Sequence, residues 1–152
     1  ARMSATLIEN KKARLRFSIL ETYSAGLELS GAEVKSLRGK RGSLDGSRIV
    51  VRGGEAFLVG STIPPYQMAN TPETYDPEKT RRLLLNKKEI AELADAESKK
   101  GLTIVPLEVY NAGRLVKLRL AIVKGKGQED RREDLKRQTD MREAERDARG
   151  KR

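Results

Sequence analysis

Cysteine, histidine and tryptophan are all absent from this 152-residue sequence, and aromatic residues make up only 4% of it. Without cysteine there is no disulfide and no thiolate metal ligand. Without histidine, the commonest metal ligand and the commonest general base near neutral pH are missing. No apolar run approaches the roughly 20 residues needed to span a bilayer, and the N-terminal residues lack the apolar core of a signal peptide. No constellation sets a nucleophile beside a base. The glycine–lysine clusters Gly39-Lys-Arg-Gly42 and Gly125-Lys-Gly127 lack the spacing of a phosphate-binding loop. These absences point away from an enzyme, a cofactor, a metal site and a membrane span. They point toward a soluble cytoplasmic protein.

What is abundant is positive charge. There are 32 Lys and Arg against 22 Asp and Glu, a net charge of +10, and such a surplus favours a polyanionic partner. The length suits one compact domain, but the charge is unevenly distributed. Residues 124–152 hold 11 basic and 8 acidic side chains, with only Leu135, Met141, Ala144 and Ala148 to form an apolar side. Such a segment cannot bury enough surface to offset its ordering entropy. The expectation is a folded body over residues 1–123 and a charged C-terminal tail over 124–152, disordered when free, with the boundary at Lys124-Gly-Lys-Gly127. Glu133 with Arg137 and Glu145 with Arg149 are helix-favouring pairs in that tail, opposed by Glu143 and Asp147.

The body reads mainly as strands. Leu15-Arg-Phe-Ser-Ile19 alternates apolar and polar residues. Arg48–Arg52 and Glu55–Val59 flank the turn signal Gly53-Gly54. Leu102–Tyr110 and Leu115–Val123 bracket a turn at Asn111-Ala-Gly113, with Leu118, Leu120 and Ile122 on one side and Lys117 and Arg119 on the other. Ala5–Glu9 and Leu27–Leu29 bring the count to six or seven. Three helices are expected. Ser30-Gly-Ala-Glu33 fits a capping box, with Gly39 as terminator. Asp76-Pro77-Glu78 reads as a cap followed by proline, opening a helix through Leu85. Asn86-Lys-Lys-Glu89 caps a third, stopped by Gly101. The pattern predicts a mainly β fold, an antiparallel barrel with about three short helices.

Basic clusters mark candidate RNA contacts: Lys11, Lys12, Arg14 and Arg16, then Lys35 with Arg38 and Lys40-Arg41, then Arg81-Arg82 and Lys87-Lys88. Cations of this kind contact phosphates. With few aromatics, recognition of a folded RNA by shape and backbone suits the composition better than stacking of single strands.

Specific strings narrow this further. Gly31-Ala-Glu-Val-Lys-Ser-Leu-Arg38 resembles a signature of the small protein B family, the SsrA-binding proteins of trans-translation. So does Asp76-Pro-Glu-Lys-Thr-Arg-Arg-Leu-Leu-Leu-Asn86, followed by Lys88-Glu-Ile90. Gly101-Leu-Thr-Ile-Val-Pro-Leu107, Lys124-Gly-Lys126 and Asp130-Arg-Arg-Glu133 are similar to further blocks, in family order from Asn10 to about Lys136. The resemblance implies a barrel of the oligonucleotide-binding type that binds the tRNA-like domain of transfer-messenger RNA. It implies delivery of that RNA to stalled ribosomes, with the tail entering the empty messenger channel at the small-subunit decoding site and becoming helical there. Alanyl-tRNA synthetase and elongation factor Tu are implied as indirect partners, and the protein as a monomer.

Carried over by position, the family's RNA contacts fall on Asn10, Leu84 and Lys117. Asn10 adjoins Lys11 and Lys12, and Lys117 lies on the polar side of the last strand. Leu84, inside a Leu83-Leu84-Leu85 run, is also a candidate for the core. Lys35 and Arg38, one turn apart on the first capped helix, are expected near the N-terminal basic run. The implied tail contacts are Lys124, Lys126, Asp130, Arg131, Arg132 and Lys136. Three departures stand out. Ser24 replaces a common Glu, keeping hydrogen bonding but not charge. Leu15 and Arg16 stand where relatives tend to have His-Tyr-like residues. Glu129 takes the place of the usual aromatic or His and cannot stack on a ribosomal base. The competing classes are an ordinary ribosomal protein, also small and basic with a charged tail, and an enzyme of unknown type.

Overall fold

The computed structural model describes residues 5–125, apart from Met68 and Asn70. Seven strands and three helices follow in the order β1 (Ala5–Glu9), α1 (Lys11–Arg16), β2 (Phe17–Leu27), α2 (Gly31–Arg38), β3 (Arg48–Arg52), β4 (Glu55–Val59), β5 (Arg81–Leu84), α3 (Lys87–Ser98), β6 (Leu102–Ala112) and β7 (Leu115–Gly125). All neighbouring strands pair antiparallel in one sheet of order β1-β6-β7-β2-β5-β4-β3. The sheet curls until β3 lies against β6. The expected mainly β, barrel-like architecture is the one observed.

Alternation builds the core. Along β7, Val116, Leu118, Leu120 and Ile122 are buried, joined by Ile49, Leu58, Leu83 and Ile104 from other strands. Leu37 of α2 and Leu93 of α3, each fully buried, belong to the same cluster. Both helices begin with the anticipated capping boxes: the Ser30 and Asn86 side chains accept from the Glu33 and Glu89 backbone N–H groups, and the two glutamates reach back. On the other side of β6 and β7, Val105, Leu107, Ala121 and Val123 form a second cluster, covered by Ala13 of α1 with Phe17 packed against it.

Two expected elements are different. Residues 76–85 do not form a helix. Asp76 makes a turn, its carboxylate accepting from the Glu78 N–H at 2.9 Å. Residues 81–84 are then a strand in which Arg81 and Leu83 are buried while Arg82 and Leu84 are exposed. A carboxylate–proline start serves a turn as well as a helix, and three consecutive leucines conceal a period of two. Residues 15 and 16 do not open a strand either. They end α1, and β2 begins at Phe17, running on through Leu27 to absorb part of a segment expected to be separate. The Leu15/Phe17/Ile19 alternation is coincidental: Leu15 points outward, while Ala13 is the buried residue of α1. One small buried side chain in six residues gives no helical periodicity to read. The β6–β7 turn is also tighter than expected, with β6 continuing through Ala112 and the turn made at Gly113 (φ 64°) and Arg114.

Candidate nucleic-acid interface

A bulge in β6 determines where the basic helix lies. Register slips between Pro106 and Glu108, at a proline that has no N–H to give the ladder. The carbonyls left there are taken by Asn10: its Nδ2 donates to Pro106 O at 2.9 Å and its backbone N–H to Leu107 O at 2.8 Å. Asn10 is thus only 7% exposed, where the sequence suggested an amide facing outward. The residue anchors α1, and α1 presents Lys11, Lys12, Arg14 and Arg16 to solvent.

Cross-strand partners point to the same face of a sheet. Tyr110 of β6 is opposite Lys117 of β7, Lys117 is opposite Gly26 of β2, and Gly26 is opposite Leu84 of β5. One row across four strands therefore carries both Lys117 and Leu84, with a glycine between them. A Cβ on Gly26 would stand 3.2 Å from the Leu84 Cβ, so the glycine gives Leu84 room to lean over the row. Leu84 is 51% exposed, the reverse of the core fate its neighbours suggested. The adjoining row pairs Glu108, Arg119 and Ser24. The Ser24 hydroxyl is hydrogen-bonded to the Tyr110 hydroxyl. Arg119 lies 4.9 Å from the Tyr110 ring centroid and pairs with Glu108 at 3.1 Å.

Residues 117, 119, 121 and 123 alternate onto this same face, and α1 covers Ala121 and Val123. From Lys117 to Ala121 is about 13 Å along a strand. The exposed surface thus runs from the cations of α1 past Arg119 to Lys117 and Leu84. Among the described residues Lys117 has no carboxylate partner, whereas Arg119 is committed to Glu108 and the Tyr110 ring. Arg119, Gly26 and the buried Tyr110 share this face of the sheet but were not singled out from sequence. The Lys117/Arg119 alternation could have flagged Arg119; Gly26 and Tyr110 emerge only from register.

The other basic clusters are divided. Arg38 donates to Arg114 O at 2.8 Å and to Asn111 Oδ1 at 3.4 Å, bracing the β6–β7 turn. That turn is at the far end of β6 and β7 from α1, so the expected proximity of Lys35 and Arg38 to the N-terminal basic run is not found. Lys35 instead extends over the Tyr66 ring. Arg81 is buried against Glu33 at 3.0 Å, and Arg82 pairs with Glu28 and Glu55. Lys124 is exposed near the end of β7. Lys126, Asp130, Arg131, Arg132 and Lys136 lie outside the described residues, as does Glu129.

The comparisons agree with this architecture. The family model for SmpB protein matches residues 7–150. An SsrA-binding protein of Alkalilimnicola ehrlichii is 47% identical over 137 residues, covering 90% of this chain and 86% of its own length. One from Microcystis aeruginosa is 43% identical over 137 residues, covering 90% and 89%. A solved structure described as "tmRNA-SmpB: a journey to the center of the bacterial ribosome" contains a chain that superposes with a TM-score of 0.68 at 39% identity. The match covers 86% of this chain and 95% of that one. With the barrel, the capped helices and the order of the blocks all in agreement, the chain belongs to the SmpB family.

Proposed function

We propose that this protein binds transfer-messenger RNA through its tRNA-like domain and brings it to stalled ribosomes for trans-translation, acting as an RNA-binding adaptor. The observation that carries the reading is the convergence of the α1 cations, of Lys117, which has no carboxylate partner among the described residues, and of the exposed Leu84 on one face of the sheet. The relatives' description as SsrA-binding proteins and the tmRNA–SmpB neighbour support the choice of RNA. Lysine and arginine neutralise phosphates, while Leu84 offers an apolar contact to a base or ribose. Asn10 acts by holding α1 in place. Alanyl-tRNA synthetase and elongation factor Tu are proposed to meet the same RNA, with the protein acting as a monomer. The tail is proposed to probe the empty messenger channel through Lys124, Lys126, Asp130, Arg131, Arg132 and Lys136.

Affinity for the tRNA-like domain is expected to fall steeply with salt, each phosphate contact adding about −0.9 to the log–log slope on a duplex. A titration from low to moderate salt, with ordinary tRNA as competitor, tests this. A flat response, or equal affinity for any tRNA, would overturn the reading. Within the interface, Lys117→Glu is expected to weaken binding more than tenfold, because repulsion replaces attraction, and to reduce the salt slope. Its stability is expected to stay within about 0.5 kcal/mol of the parent, as for most surface substitutions. A large drop in melting temperature would instead make Lys117 a structural residue.

A further inference from the structure

A cavity lies outside the row that joins Lys117 to Leu84. Between the first turn of α2 and the loop that follows β4, its volume of about 390 Å³ is walled by Pro64, Pro65, Tyr66, Pro72 and Tyr75, with Lys79 at its edge. Its lining is mostly apolar, Lys79 belongs to it, and two further cations, Lys35 and Arg41, contact Tyr66. Lys35 Nζ lies 5.7 Å from the Tyr66 ring centroid and Lys79 Nζ 5.8 Å from that of Tyr75. Arg41 donates to the Tyr66 carbonyl at 3.3 Å. Tyr75 is held by its hydroxyl, which donates to Ile63 O at 2.7 Å. Tyr66 remains 45% exposed. The Glu33 carboxylate at the base is already paired with Lys79 and Arg81. Glu73, Asp76 and Glu78 share the loop but do not line the cavity.

We propose that this cavity takes one unpaired nucleobase of a bound RNA, stacked on Tyr66 with its phosphate between Lys35 and Lys79. Every nucleobase has a π face that an aromatic ring can stack on, whatever its sequence. The volume suits one nucleotide, not a folded helix. A proline-rich peptide would also lie along proline and tyrosine walls, but its carbonyls are neutral acceptors and bring no negative charge to match Lys35, Lys79 and Arg41, as a phosphate does. The proposal rests on the protein being an RNA binder, yet its test does not use transfer-messenger RNA.

The full-length protein, isotope-labelled, is titrated with adenosine 5′-monophosphate and observed by NMR. Saturable shifts are expected at Ala32, Thr71 and Thr74, and ribose 5-phosphate, which has the phosphate but no base to stack, is expected to shift them far less at the same concentration. Tyr66→Ala is expected to weaken the nucleotide at least about fivefold, the lower end of one aromatic stack, while Tyr66→Phe retains it. Lys117→Glu, on the sheet face, is expected to bind the nucleotide like the parent. Loss of tRNA-like-domain binding in Lys117→Glu alone therefore bears on the first reading and not on this one. The proposal is overturned if the nucleotide produces no saturable shifts, if ribose 5-phosphate shifts the same residues equally, or if a proline-rich peptide binds the cavity and the nucleotide does not.

Discussion

Glu33→Gln is expected to destabilise the protein by about 3–5 kcal/mol, the cost of leaving one member of a buried ion pair without its counter-charge. Both side chains are 1% exposed, with Arg81 Nε 3.0 Å from Glu33 Oε2. The substitution isolates charge from shape. Glutamine is the same size and can still accept from the Ser30 N–H, so the capping box at the start of α2 is retained. What is lost is the only carboxylate paired with Arg81 among the described residues. Arg81 also donates to the carbonyls of Ser61, Pro77 and Lys79, so it ties together both ends of the loop after β4. Local opening of that loop is expected alongside the global loss. Denaturant unfolding and hydrogen exchange would read the two effects. A loss below about 1 kcal/mol would mean that solvent reaches the guanidinium.

The same pair sets an acid limit. Burial alone would raise the Glu33 carboxyl, but the Ser30 N–H, Arg81 and Lys79 outweigh it and hold the group below its ordinary value of 4.5. A carboxyl depressed by folding contributes stability that is fully present above the unfolded value and is lost as pH falls through the folded one. Stability is therefore expected to decline below about pH 4.5, and Glu33→Gln should remove part of that decline. An identical acid slope in the variant would assign it to other carboxylates.

Legibility in the sequence followed the range of the forces involved. The capping boxes at Ser30 and Asn86 are local hydrogen bonds between residues three apart, and both formed as read. The Gly53-Gly54 hairpin is equally local, with positive φ at both glycines. Lys117 and Arg119 were legible as a polar face because alternation is a property of one strand. Arg81 was misread as one of a surface basic pair, since its partner is 48 residues away. The row joining Lys117 to Leu84 depends on the registers of β7 with β2 and β2 with β5, which no single segment encodes. Asn10 depends on a bulge in a strand 96 residues later. Local chemistry was readable; pairings across the sheet were not.

Truncation after Gly127 is expected to leave affinity for the tRNA-like domain within about twofold while reducing tagging of stalled chains to background. The last described core residue is Val123, and Lys124 and Gly125 complete the pairing of β7 with Ser18 and Phe17, so the cut spares every described strand. Electrostatics favours the same outcome. Residues 128–152 contain nine basic and eight acidic side chains, so their removal lowers the net charge only from +10 to +9. The long-range attraction that salt-dependent RNA binding relies on is thus nearly unchanged. We propose that the removed segment acts in the ribosomal channel, where rRNA phosphates would favour a helical form by neutralising its basic side. Glu133–Arg137 and Glu145–Arg149 would add roughly 0.2–0.5 kcal/mol each to that form. Arg131 and Arg132 are the first positions to reverse in charge, and the double reversal is expected to reproduce the tagging defect without the affinity change. Two measurements on each variant decide the matter: affinity for the isolated tRNA-like domain and tagging on ribosomes stalled without a codon. Normal tagging by the truncated protein would reduce the segment to a solubilising extension. Lost RNA affinity would make it part of the RNA interface instead of a separate probe.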